Sequence, residues 1–144
     1  MFPNIKTTLA GYANYKGYGL LAFLLHRITG LGTLFFLTIH VLTTSSVYFY
    51  PQGYNKIIGI FRWPPVMFAE IILVFCVIYH GVNGLRIAYL DLFKPDLWKK
   101  ASAKKSVIYT LMIAIVLWIP PAAVMGYNMF HFGLSLFGKV EFFP

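Results

Sequence analysis

Leu24–His40 reads LLHRITGLGTLFFLTIH. Apolar residues fill most of this run, yet it opens near a histidine–arginine pair and closes on a second histidine. Extended to Leu20 and Phe49, it exceeds the roughly 20 residues a helix needs to cross a bilayer core. Val66–Tyr89 and Val107–Phe130 meet the same requirement. Three segments cannot close a β-barrel, so helices are the only way to pair the backbone in lipid. The sequence therefore predicts an all-α membrane protein with three transmembrane helices, over approximately 20–49, 66–92 and 106–130, within one domain spanning 1–144.

Composition agrees. Hydrophobic residues make up 59% of the chain and charged residues 11%, against about 25% charged in a soluble domain. The mean hydropathy is +0.72. A net charge of +8 invites a nucleic-acid reading, but its distribution argues against one. Arg86, Lys94, Lys99, Lys100, Lys104 and Lys105 crowd the link between the second and third spans, and Lys6, Lys16 and Arg27 lie towards the N-terminus. The other side holds only Lys56, Arg62 and Lys139. The positive-inside rule then places the N-terminus in the cytoplasm and the C-terminus outside, in a multi-pass protein of the inner (cytoplasmic) membrane. The basic link has two readings: attraction to anionic headgroups, or a docking face for a cytoplasmic protein.

The N-terminal twenty residues carry Lys6, Asn14 and Lys16 and lack a compact apolar core with a small-residue cleavage site, so the first span is expected to act as its own uncleaved insertion signal. Cys76, the single cysteine, reads as a small packing residue. Pro51, Gly53, Pro64 and Pro65 mark the link after the first span, with Pro65 suited to the first turn of the second. Lys94–Pro95–Asp96 should close the second helix, and Ser102 or Ser106 should cap the third. Pro120 and Pro121 should kink the third helix unless its surroundings re-pair the released carbonyls. Tyr50, Tyr54, Trp63 and Trp98 fall where an aromatic belt is expected.

At 100° per residue His26, Gly30, Thr33, Leu37 and His40 share one face of the first helix. Helical rise separates His26 from His40 by roughly 21 Å. That sets His26 and Arg27 near the cytoplasmic interface and His40 in the outer half. On the second helix His80, Asn83, Gly84, Ile87 and Asp91 share a face, with His80 slightly to the cytoplasmic side of the midplane. Ionisable groups in a span are costly and mark function by default. The plainer reading of each histidine is a neutral imidazole bonded to a neighbouring helix. The sharper one is an axial ligand to haem iron, for which a nearby glycine such as Gly84 or Gly30 lets a flat macrocycle approach the backbone. Because His40 and His80 lie at different depths, a six-coordinate haem needs its second ligand from another chain. Glu70 reads as an interfacial carboxylate beside Arg62, with proton carriage to the outer side as the alternative. Tyr89 reads as a belt residue and His131 as solvated.

Two motifs together, LLHRITGLGTLFFLTIH and, some forty residues on, YHGVNGLRIAYLD (Tyr79–Asp91), resemble the cytochrome b membrane-anchor subunit of succinate dehydrogenase and fumarate reductase, in its two-haem form. The likeness covers nearly the whole chain. It implies that this chain is a membrane-anchor domain with haem-ligand positions at His80 and His40, and two b haems per complex shared with a second anchor subunit. It implies that His26, Arg27 and Phe23, with Arg86 and Asp91, lie near the haem propionates or a quinone site facing the iron–sulfur subunit. Gly84, Gly30, Thr33 and Asn83 are then haem-packing positions. Many ubiquinone-using members carry a serine where this chain has Phe23, so the resemblance leans towards menaquinone. It further implies a flavoprotein partner that oxidises succinate, since this chain has neither a Gly-rich dinucleotide turn nor cysteines for clusters. The rival expectation is a haem-free anchor that only docks a soluble enzyme through its basic face. A transporter or channel is disfavoured, because three spans with few polar faces offer no conduction path.

Overall fold

The computed structural model describes residues 18–97 and 104–133. The described residues form four α-helices, three of them long and apolar enough to cross a membrane. Helix α1 (Tyr18–Phe49) and helix α3 (Pro64–Phe93) are the first two spans. Helix α4 (Lys104–Asn128) is the third and continues into a π-helical turn, Met129–Gly133. Between α1 and α4 the Lys104 ammonium lies 5.2 Å from the Tyr18 ring centroid, a cation–π contact. Helix α3 begins about two residues earlier than hydropathy alone indicates. At α3, Pro64 and Pro65 occupy the first turn, where a missing N–H costs nothing.

Helix α2 (Pro51–Phe61) fills the link that prolines and glycine mark after the first span. Pro51 sits at its first position rather than breaking it. Gly53 is buried beneath the Tyr50 ring, where a β-carbon would collide with that ring. Tyr54, Ile57, Ile58 and Phe61 recur at helical spacing and form one apolar face. At eleven residues α2 is too short to span, and such an amphipathic helix suits the membrane surface. It packs on α1 and α3 at the end of the bundle where α1 finishes.

Helix α3 is central, packed along both α1 and α4, while α1 and α4 touch each other much less. Small and slender residues make the seams: Ala22 and Thr29 on α1, Cys76 and Asn83 on α3, and Val107, Thr110 and Ala114 on α4 are all buried. Small residues let spans approach closely where lipid offers no hydrophobic drive between helices. At Gly32 the approach is so close that a β-carbon would lie 2.8 Å from Cys76 Sγ. Cys76 is buried there, as a packing residue. Between α3 and α4, Trp118 Nε1 donates to the Ile71 carbonyl at 3.1 Å, and Phe75 meets the Trp118 ring edge-on at 5.7 Å. The outward faces, Ile28, Leu31 and Leu34 on α1 and Leu85 on α3 among them, are apolar and exposed.

Helix α3 ends as expected: Lys94 N–H bonds back to the Leu90 carbonyl, and a 3₁₀ turn, Pro95–Leu97, follows. Ser106 is not a cap. It lies inside α4, and its hydroxyl accepts a hydrogen bond from Arg86. Ser102 and Trp98 lie outside the described residues, as do Lys99 and Lys100. Helix α4 runs on through Pro120 and Pro121 to Asn128 before it widens into the π turn, the kind of local adjustment by which spans tolerate proline.

Candidate functional site

Helical rise alone separates His26 from the midplane, but α1 and α3 are offset so that His26 comes level with His80. Their rings stack with centroids 4.2 Å apart and planes 7° from parallel. His80 Nδ1 lies 3.1 Å from the His26 carbonyl oxygen. A carbonyl can only accept, so Nδ1 donates and carries the ring proton. Nε2 then keeps its in-plane lone pair, and a stack on the face of the ring does not cover it. Gly30, one turn along α1, completes the contact: a β-carbon there would sit 2.9 Å from His80 Cε1 and 3.2 Å from Nδ1. Gly84 borders His26 instead, its β-carbon position lying 3.8 Å from His26 Cε1. His26 Nδ1 is buried and has no hydrogen-bond partner among the described residues.

Neighbouring polar groups are tied down. Thr29, buried at the α1–α3 seam, donates from Oγ1 to the Leu25 carbonyl at 2.6 Å, and Thr33 Oγ1 donates to the Thr29 carbonyl at 2.8 Å. On α3, Arg86 donates from Nη1 to buried Asn83 Oδ1 at 3.1 Å and from Nε to Ser106 Oγ at 3.0 Å. Arg86 thus joins α3 to α4 through Ser106 while bonded to Asn83 of its own helix. Arg27 points away from His80. It is exposed, with its guanidinium 4.6 Å from the Phe23 ring centroid. Asp91 is exposed on the last turn of α3.

His40 belongs to a different place. It lines an open cavity of about 550 Å³ bordered by α1, α2 and α3, a volume in the usual range for ligand pockets. The Phe36 ring stacks beside it at 5.6 Å. Thr43 and Thr44 continue that wall, Tyr54, Ile58 and Phe61 come from α2, and Glu70 comes from α3. Glu70 and the α2 residues are the part of this site that residue spacing missed. The available signal was the helical recurrence of Tyr54, Ile58 and Phe61 in the link.

Among the described residues no three His, Cys, Asp or Glu side chains converge. A metal caged by this chain's side chains therefore has no ligand set there, whereas iron in a macrocycle asks of a chain only an axial imidazole. His80 fits that demand: its Nδ1–H is satisfied by a carbonyl, the arrangement that orients a metal-bound imidazole and raises its basicity. His40 fits in a second way, as an imidazole at the wall of an open cavity.

The model of the succinate dehydrogenase/fumarate reductase transmembrane subunit family matches residues 7–119 of this chain. The chain is also similar to succinate dehydrogenase 2 membrane subunit SdhC of Mycobacterium tuberculosis (strain ATCC 25618 / H37Rv). The two are 30% identical over 122 residues, which cover 82% of this chain and 86% of that protein. The family match contains His26, Arg27, His40 and His80.

Proposed function

The chain belongs to the succinate dehydrogenase/fumarate reductase transmembrane subunit family, and from that premise we propose that it is the cytochrome b membrane-anchor subunit of a succinate:quinone oxidoreductase. Its partners are a second membrane-anchor subunit, an iron–sulfur subunit and a flavoprotein subunit that carries the succinate chemistry. The bundle end holding Tyr18, Phe93 and Lys104 faces the cytoplasm, by its lysines and the positive-inside rule. The membrane is the cell's inner, cytoplasmic one.

His80 would hold one haem b and His40 a second, each shared with the second anchor subunit. Haem b, when bound, supplies a one-electron redox centre. The remaining work falls to side chains of this subunit. His80 presents Nε2 with its proton kept on Nδ1. Arg27 offers charged N–H donors to a quinone carbonyl at the cytoplasmic end, with Phe23 lying against the guanidinium. The quinone is menaquinone in this reading, since Phe23 has no hydroxyl to donate. The apolar faces of the three spans keep water from the site. The observation that carries the proposal is the His80 imidazole, level with His26, its Nδ1–H bound to a backbone carbonyl and its Nε2 left to act as a ligand.

The test is a redox titration of the purified complex followed optically. Two low-spin b-type components are expected in the wild type. His80→Ala should remove one or render it high-spin, and His40→Ala should remove the other. A complex without b-type bands, or a His80→Ala complex with both components intact, would overturn the assignment.

A further inference from the structure

A histidine ring has no strong torsional preference of its own, because the bond joining it to Cβ rotates in a broad, two-fold well. Whatever holds the His80 plane must come from outside that residue, and one turn of α1 supplies it. The His26 ring lies flat on one face of His80, with centroids 4.2 Å apart. The His26 carbonyl accepts a hydrogen bond from His80 Nδ1–H at 3.1 Å. Gly30, the next residue on the same face of α1, comes against the Cε1–Nδ1 edge so closely that a β-carbon would stand 2.9 Å from Cε1. Rotation of the ring breaks the hydrogen bond, lifts the stack and drives an edge towards the α1 backbone.

We infer that His26 and Gly30 are positioning residues that fix the tautomer and ring plane of His80 before any ligand binds. The inference rests on the reading of His80 as an axial ligand and deepens it. In a low-spin ferric haem with two imidazole ligands, the angle between the imidazole planes governs the largest g value and contributes to the reduction potential. One of those planes is then set by this chain alone, through a backbone carbonyl and a missing side chain, in the way that outer-shell partners orient a metal ligand.

The experiment is electron paramagnetic resonance with a parallel redox titration on the purified complex. The variants are Gly30→Ala, His26→Ala, His26→Phe and His80→Ala. His80→Ala should delete one low-spin signal, which identifies the component. Gly30→Ala should move the largest g value and the potential of that component and leave the other component at its wild-type values. His26→Ala keeps the carbonyl but loses the stack, so the same signal should shift or broaden. His26→Phe keeps both the carbonyl and a flat ring, so it should restore the wild-type signal. Wild-type g values and potential in both Gly30→Ala and His26→Ala overturn the inference. If Gly30→Ala does not assemble, the His26 pair decides: different spectra for alanine and phenylalanine support the clamp, and identical spectra overturn it. A low-spin signal that survives His80→Ala overturns the ligand assignment itself, and the clamp with it.

Discussion

At Arg27 the structure separates two neighbours that the sequence presents as a pair. His26 turns into the α1–α3 seam and stacks on His80. Arg27, 100° further round, turns outward over Phe23. An exposed cation–π contact contributes about 0.5–1 kcal/mol. It orients the guanidinium more than it stabilises the fold. Arg27→Leu should therefore leave the complex assembled and lower quinone reduction. Loss of one charge-assisted hydrogen bond costs about 1.5–3 kcal/mol, or roughly a 10- to 150-fold loss of rate if the bond is made to the reacting quinone. Succinate oxidation with a soluble dye, which bypasses the quinone, should stay near the wild-type rate. Equal losses with both acceptors would instead point to an assembly role.

At the scale of elements, the seams are narrow where glycine meets a side chain and polar where arginine crosses. Gly32 faces Cys76 on α3, with a β-carbon position 2.8 Å from Sγ. Gly32→Val overpacks this contact, and such changes typically cost 1–3 kcal/mol. Cys76→Ala removes the opposing sulfur and should recover part of the loss. The midpoint of thermal unfolding of the detergent-solubilised complex reads both, and additive losses in the double variant would sink the contact. Arg86 ties α3 to α4 through Ser106 and is bonded to Asn83 one turn back on α3. Arg86→Leu strands the buried Asn83 amide oxygen, which costs about 1–3 kcal/mol. It should lower the same unfolding midpoint, whereas Arg86→Lys should lower it less. Comparable midpoints for leucine and lysine would show that the hydrogen bonds contribute little.

At the scale of the whole molecule, the chain is an open layer of three spans with α3 in the middle. His80 sits at the α1–α3 seam and His40 at a separate cavity. The only imidazole beside His80 among the described residues, that of His26, is stacked on its face, and His40 stands apart from both. If His80 and His40 each hold a haem as proposed, a six-coordinate iron at either place needs a second chain, and the isolated subunit should bind haem weakly. Expression of this chain alone should yield little low-spin haem, and co-expression with the second anchor should restore it. Stoichiometric low-spin haem in the isolated chain, measured per polypeptide, would contradict this arrangement.

The sequence by itself determined the three spans, because the apolar length needed to cross lipid is a one-dimensional property that no tertiary contact alters. It also marked the residues that lipid does not explain: His26, Arg27 and His40 on one helix, His80, Asn83 and Arg86 on another. Spacing within each helix followed from rise and turn alone. What one helix does to another did not. The pairing of His26 with His80 depends on how far α1 slides along α3, and that slide is set by close contacts at Gly30 and Gly32 whose partners, His80 and Cys76, lie dozens of residues away. Helix α2 was hidden because Pro51 and Gly53 are helix breakers in isolation. Only the first-turn position of one, and the Tyr50 ring packed on the other, make them compatible with a helix. Glu70 joined the wall of the His40 cavity for the same reason: α2 folds back at the end of the bundle and adds a third wall to a space bordered by α1 and α3.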